Sequence, residues 1–237
     1  MKKLLVLAVA LGISQSVTAG NIDLTAVGGQ ANFRNLSEDL GSALSYKAIS
    51  PAESMGITGF DVSVELTNTK LAKSASLWKT LTGTDMSSVY VPKLHVTKGL
   101  PLDIDIGAFA STIPTTGINL FGGELKYAVL PGSTALPAVA IRGSLTKLSG
   151  VKQLALDTKS LDVSISKGFA MFTPYAGVGQ VWVTSTPDAA LGLTEEKFKH
   201  SKAFVGANMN FGLTNFAVEF DETGSADSLN FKLGFRF

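Results

Sequence analysis

The sequence predicts an all-β fold, an antiparallel transmembrane β-barrel of about ten strands, preceded by a short amino-terminal amphipathic helix. Apolar and polar residues alternate through the last eleven residues, where Leu229, Phe231, Leu233, Phe235 and Phe237 share one face. The mean hydropathy is +0.27, yet beyond the first residues no run of eighteen apolar residues occurs. A chain that is hydrophobic on average and lacks a spanning helix is typical of a barrel whose outer face meets lipid.

The first nineteen residues have the three parts of a secretory signal peptide. Lys2 and Lys3 form a basic region, residues 4–13 are apolar, and small residues at 17–19 precede Gly20. An apolar stretch of about ten residues is too short to span a membrane as a helix. The sequence therefore predicts a cleaved signal peptide at 1–19, an arm with the short helix at 20–55 and the barrel at 56–237.

Composition excludes several kinds of partner and site. Without Lys2 and Lys3 the chain would carry 18 basic and 19 acidic residues, a net charge of −1, so we expect no nucleic-acid partner. Cysteine is absent, which excludes disulfides and thiolate metal sites. We expect no metal and no cofactor.

Alternation with a period of two residues marks each predicted strand. In the first clear strand, Phe60 and Val62 lie on one face while Asp61 and Ser63 lie on the other. Short segments rich in Gly and Pro separate several of the strands and predict antiparallel neighbours. The predicted strands are 59–67, 89–97, 102–111, 124–129, 139–146, 160–166, 175–184, 202–211, 216–221 and 227–237.

The closing strand resembles that of the outer-membrane β-barrels of Gram-negative bacteria, which typically ends in Phe and is read by the periplasmic assembly machinery. The resemblance implies a bacterial outer-membrane location, contact with outer-membrane lipid, and periplasmic chaperones and the barrel-assembly machinery as partners during biogenesis. It also implies that both termini of the barrel chain lie in the periplasm. Counting back from Phe237 then predicts periplasmic turns at 98–101, 131–137, 167–174 and 210–214, and outer connections at 70–88, 112–117, 149–156, 185–197 and 221–227.

The arm departs from the barrel pattern. Leu36, Leu40 and Leu44 recur at helical spacing, and Asn35 or Ser37 is the expected helix cap. The helix could plug the lumen, lie on the periplasmic rim, or be an ordered arm with no function of its own. If 22–27 and 45–50 are strands instead, the count rises to twelve.

Charged residues of both signs occupy the polar faces of the strands. In a barrel of about ten strands the interior is narrow, so we expect mostly paired ions there, with a selective passage or binding site as the alternative. No ring of one sign indicates ion selectivity. The predicted lumen residues, which would line a solute pathway, are Asp61, Glu65, Lys93, His95, Asp103, Asp105, Glu124, Lys126, Arg142, Asp162, Lys202, Glu219, Lys232 and Arg236.

Three functions are compatible with this pattern. The first is a narrow channel or carrier for a small-molecule solute, in which the arm and the 70–88 connection restrict entry. The second is a closed structural or surface-interaction barrel. An outer-membrane hydrolase is the third and least supported, because His95 with Thr97 and His200 with Ser201 do not reproduce the histidine-x-serine pattern of outer-membrane phospholipase or lipid A deacylase barrels. We therefore expect no catalytic residues and a protein that is not an enzyme.

Overall fold

The chain folds into one closed antiparallel barrel. The structure is a computed structural model that describes residues 24–83, 85–113 and 118–237, so the predicted signal peptide lies outside the described residues. No helix in these ranges is long and apolar enough to cross a membrane. The strands are β1 (Phe60–Lys70), β2 (Ser88–Leu100), β3 (Ile104–Ile113), β4 (Ile118–Leu130), β5 (Ala138–Ser149), β6 (Leu154–Ser166), β7 (Phe172–Pro187), β8 (Glu196–Phe211), β9 (Thr214–Thr223) and β10 (Ala226–Arg236).

Each strand pairs with its neighbours in the sequence, and β1 pairs with β10 to close the wall. In that closing pair Asp61 lies opposite Arg236 and Glu65 opposite Lys232. The prediction of ten strands is confirmed, and the twelve-stranded alternative is wrong. The described part of 22–27 is a 3₁₀ turn, Leu24–Val27, and residues 45–50 join no strand of the described sheet.

The wall is apolar outside, and its inner face is polar except towards one end, where apolar side chains such as Leu148, Leu156 and Val183 are buried. On β10 the outward Leu229, Phe231, Leu233 and Phe235 are between 40% and 55% exposed, whereas the inward Lys232 is 4% exposed. The other strands repeat this alternation, and together their outward side chains form a continuous apolar belt. A belt of this extent is far larger than the apolar patches of soluble monomers and is covered by lipid in a transmembrane barrel.

The two ends of the barrel differ in their connections, and we call them the helix end and the turn end. The helix end has the β1–β2 connection, which contains the helix α2 (Ala75–Thr82), and a β7–β8 connection with a second 3₁₀ turn, Ala189–Leu191. The turn end has the short β2–β3, β4–β5, β6–β7 and β8–β9 connections, together with Phe60 and Phe237. That the helix end faces outward remains a prediction.

The arm fills the lumen along its length. Its helix, α1 (Gln30–Leu44), starts at the helix end and points inward, and residues 45–56 continue to the turn end, where Met55 N donates to the Asp105 carboxylate of β3. The expected cap at Asn35 or Ser37 is wrong, because the helix begins after Gly29. Gly28 and Gly29 have positive φ angles of 75° and 116°, and this pair turns the chain from the 3₁₀ turn into the helix.

Apolar packing holds α1 in the helix half of the lumen. Phe33 and Leu36 of α1 pack in one buried cluster with Trp78 of α2 and Val181 and Val183 of β7. The helix lies so close to β7 that a Cβ added at Gly41 would be 2.8 Å from both methyl carbons of Val183. Gly41 is therefore the point of closest approach that lets the helix seat against the wall.

Substitution G41A tests this seating. Alanine normally favours a helix over glycine by about 1 kcal/mol, but here the clash with Val183 should destabilise the barrel by about 1–3 kcal/mol. Urea unfolding in detergent micelles measures the change. In G41A/V183A the clash is removed, so the double variant should be more stable than the sum of the single substitutions predicts. Additive effects would show that the helix does not rest on Val183.

Candidate functional site

The turn half of the lumen is lined by buried charged side chains from the wall. Twelve of the fourteen predicted residues point inward and are buried: Asp61, Glu65, Lys93, His95, Asp105, Glu124, Lys126, Arg142, Asp162, Lys202, Glu219 and Lys232. Arg236 is partly exposed at the rim and binds Asp61 at 2.9 Å. Their part in solute passage stays a prediction.

Asp103 is a correction to the predicted lumen set. β2 continues through Leu100 and β3 begins only at Ile104, so Asp103 belongs to the turn between them. Its φ is +57° and its carbonyl accepts a hydrogen bond from Ala128 N at 2.9 Å. Alternation ends where the chain turns, and the side chain of Asp103 is therefore not part of the inward row.

The wall charges pair with one another. Lys126 binds Asp105 at 2.8 Å, Arg142 binds Glu124 at 2.8 Å and Lys202 binds Asp162 at 3.0 Å. At the closing strands Lys232 binds Asp61 at 2.9 Å, and Lys93 lies 3.4 Å from Glu65. Cross-strand register explains two of these pairs, since Asp105 is directly opposite Lys126 and Glu65 is directly opposite Lys93. Burying a charge is costly unless it is paired, and the wall meets this requirement largely by itself.

The arm adds its own polar groups to this lining. Lys47 Nζ binds Asp221 of β9, and Lys202 Nζ donates to the Tyr46 carbonyl at 3.0 Å. Nearer the turn end, Lys126 Nζ donates to the carbonyls of Pro51 and Glu53, at 3.1 and 2.7 Å. These arm carbonyls thus accept hydrogen bonds from the wall. They need such donors because residues 45–56 have no helical or sheet hydrogen bonds of their own.

His95 lies in the centre of a buried chain of three polar groups. Its Nδ1 is 2.8 Å from Glu65 Oε1, and its Nε2 is 2.8 Å from the Tyr46 hydroxyl. A carboxylate only accepts, so Nδ1 donates to Glu65, while Nε2 shares the second hydrogen bond with the Tyr46 hydroxyl. The chain Glu65–His95–Tyr46 fastens the arm to the wall at mid-lumen. His200 lies elsewhere, against Phe198 with ring centroids 4.9 Å apart.

The mouth at the helix end is closed by contacts between α1 and the β1–β2 connection. The Asp39 carboxylate accepts hydrogen bonds from the backbone amides of Ala72, Lys73 and Ser74 and from the Ser74 hydroxyl, at 2.7 to 3.3 Å. Beside it, Glu38 pairs with Lys73 and with Arg34, which also binds Glu196 of β8 at 2.8 Å. These contacts tie the helix, the connection and the wall together.

Sequence reasoning missed Tyr46, Lys47 and Asp39 as lumen residues. Tyr46 and Lys47 lie in an irregular segment with no period to assign their direction. Asp39 lies on the helix, and helical spacing alone does not show what the polar face of a helix contacts. The available signal for Tyr46 and Lys47 was that an aromatic and a basic residue follow closely after the predicted amphipathic helix.

Little space remains in the lumen. A cavity of about 50 Å³ lies beside Leu44, Val91, Leu120 and Leu148, and another of about 10 Å³ lies near Ser50, Lys126 and Arg236. The smaller volume is about that of a single water molecule. The larger has room for only a few water molecules, so neither of these two cavities is a passage for solutes.

Comparisons with known proteins add the following. The sequence matches no protein-family model and no curated protein. Among solved structures, the amino-terminal β-barrel domain of Pseudomonas aeruginosa OprF has 13% identity and a TM-score of 0.36, over 74% of this chain and 97% of that one. The outer membrane protease OmpT of Escherichia coli has 8% identity and a TM-score of 0.38, over 76% and 95% of the two chains.

The KdgM porin in complex with disordered oligogalacturonate is similar to the same degree, with 8% identity and a TM-score of 0.38 over 76% of this chain and 99% of that one. Scores this low do not carry an argument about activity. The class follows from the chain's own geometry, a closed wall that is apolar outside and mostly polar inside. This protein is a ten-stranded antiparallel β-barrel of the outer-membrane type.

The ion pairs of Glu38 should make the stability of the barrel depend on pH. Burial alone would raise the pKa of Glu38, but hydrogen bonds and positive charge from Lys73 and Arg34 outweigh burial and hold the pKa below 4.5. Its contribution, about 0.5–1 kcal/mol, is therefore present above pH 4.5 and lost as the pH falls below that value. Thermal unfolding in micelles between pH 3 and 7 should show a smaller loss at acid pH for E38Q than for the unchanged chain. E222Q, an exposed outward position, is the control and should keep the original profile.

Substitution Y46F tests the central polar chain. Removing the hydroxyl leaves the His95 Nε2 buried without a partner, which should cost about 1–3 kcal/mol in urea unfolding. The matched control is Y90F, because Tyr90 faces outward and is 55% exposed, and it should change stability little. Equal effects of the two substitutions would mean that Tyr46 does not fasten the arm.

Proposed function

We propose that the protein is a gated barrel of the bacterial outer membrane, closed at rest by its own arm and open to small solutes when the arm moves. In this proposal the helix end faces the outside, the apolar belt contacts outer-membrane lipid, and periplasmic chaperones and the assembly machinery act in biogenesis. No enzymatic step is assigned to it.

One observation supports gating over a permanently filled interior. The wall cations that bind the arm through carbonyls or hydroxyls also have carboxylate partners on the wall. Lys126 keeps Asp105, Arg142 keeps Glu124 and Lys202 keeps Asp162 when the arm is removed from consideration. A wall that neutralises most of its charges by itself can face water without large unpaired charge, as a conducting lumen must.

Part of the arm is also held by contacts that water can replace. In the turn half it is held by individual hydrogen bonds, such as Arg142 Nη2 to Ser50 Oγ at 3.0 Å and Ala52 N to Ser166 Oγ at 3.1 Å. Water can replace such bonds at a small net cost. The apolar cluster around α1 is the larger restraint, and the β1–β2 connection covers it at the mouth.

A closed structural or surface-interaction barrel is the second candidate. It is favoured by the same cluster, in which Leu24, Phe33, Leu40, Trp78 and Leu81 are each at most 7% exposed. In that case the arm would be a permanent core, and function would reside in the connections at the helix end.

A disulfide lock separates the two candidates. Ser37 Oγ of α1 lies 2.8 Å from Ser185 Oγ of β7, and both residues are buried. S37C/S185C should form a disulfide with little adjustment, and the chain has no other cysteine. In planar bilayers and liposome-swelling assays we expect the oxidised variant to pass no ions or small solutes. Reduction should restore passage, and a chain lacking residues 20–50 should be open at all times.

The single variants S37C and S185C, treated with the same oxidant, control for oxidation itself. If the oxidised double variant conducts as well as the reduced one, the arm is not the gate. If neither the reduced variant nor the shortened chain passes ions or solutes, the closed barrel is the correct candidate.

A further inference from the structure

Away from the mouth, where Arg34 binds Glu196, the contact that Lys47 makes differs in kind from the arm's other contacts with wall charges. Elsewhere in the turn half the arm offers neutral groups to wall cations that have their own carboxylates. At Lys47 the arm supplies the charge, because Lys47 Nζ is the cation that binds Asp221. Without the arm, Asp221 would have no ion-pair partner among the residues that the structure describes.

The surroundings of Lys47 Nζ form a built recess in the wall. Thr223 Oγ1 accepts from Lys47 Nζ at 3.1 Å and itself donates to the Asp221 carboxylate at 3.1 and 3.2 Å. Lys47 is 1% exposed, while Asp221 and Thr223 are completely buried. A hydroxyl and a carboxylate from one strand face therefore converge on one ammonium group.

A second carboxylate lies beside the recess without a cation. Glu219 is two residues before Asp221 on the inward face of β9 and is 2% exposed. Within the described ranges no Lys, Arg or His nitrogen lies within 4.0 Å of it, and Asn230 Nδ2 lies 3.5 Å from its Oε1. With the arm displaced, the wall would thus present two carboxylates without a direct ion-pair partner in the described ranges, together with a hydroxyl on the same strand face.

We propose that Asp221, Thr223 and Glu219 form a binding site for primary ammonium groups, that Lys47 occupies this site at rest, and that small solutes carrying such a group are admitted when the arm moves. The ligand class rests on the gating proposed above. An ammonium group has three donors and one charge, which suits a carboxylate with a neighbouring hydroxyl. Lys202 lies directly opposite Thr223 on β8, and its charge disfavours a divalent metal ion there.

Chemical rescue tests the site in the full-length chain. K47M removes the ammonium group and retains a long side chain. In micelles, n-butylammonium at about 100 mM should raise the unfolding midpoint of K47M by about 2–4 °C, and it should leave the unchanged chain unaffected because Lys47 fills the site. Tetramethylammonium has the same charge but no N–H donor and should have no effect. K47M/D221N should not respond to either ion.

If K47M does not fold, refolding supplies the same readout, since butylammonium but not tetramethylammonium should then increase the yield of folded barrel. A response to tetramethylammonium, sodium or calcium equal to that to butylammonium would overturn the assignment to ammonium groups. So would an unchanged midpoint and an unchanged refolding yield.

Selectivity measurements separate this inference from the gating proposal. In the reduced S37C/S185C variant, reversal potentials under a salt gradient should favour cations, and D221N/E219Q should reduce that preference severalfold. Conductance without cation preference and without rescue refutes the ammonium site and leaves gating intact. Rescue by butylammonium in a chain that never conducts refutes gating and leaves the site as a binding site only.

Discussion

Closure of β1 on β10 is the constraint on which the rest of the structure depends. This ladder removes the last free strand edges, and its register assigns every residue of both strands to the inside or the outside. With the inside defined, the inward faces of all ten strands meet in one narrow space, and every strand except β7 contributes a charged side chain to it. Most of the ion pairs there join neighbouring strands, whereas Lys202 of β8 reaches across β7 to Asp162 of β6.

Much of the wall could be predicted from the sequence because alternation is a local property. Strand number and the inward direction of residues such as Asp61 and Lys232 follow from a period of two. The ion pairs could not be predicted from the sequence. They depend on the register between strands, and that register is determined by turns that single-sequence patterns do not specify. Asp103 shows the limit, since alternation predicted an inward side chain where the chain had already begun to turn.

The arm was the least predictable part for a physical reason. The helix was recognised from Leu36, Leu40 and Leu44, but its position in the lumen depends on long-range fit, such as the approach of Gly41 to Val183. Residues 45–56 have no regular structure, and many of their polar groups are satisfied by the wall, as the carbonyls of Pro51 and Glu53 are by Lys126. Hydrogen bonds to a distant part of the chain leave no local pattern that predicts them.

The four hydrogen bonds that Asp39 accepts from the β1–β2 connection have a mechanical consequence. They fasten the β1–β2 connection at the mouth to the helix that occupies the interior, beside the ion pair of Glu38 with Lys73. A force that displaces this connection would therefore pull on α1, and through α1 on Tyr46 and Lys47 inside the barrel. The bonds of Asp39 thereby make the position of a connection at the mouth and the contacts inside the lumen depend on one another.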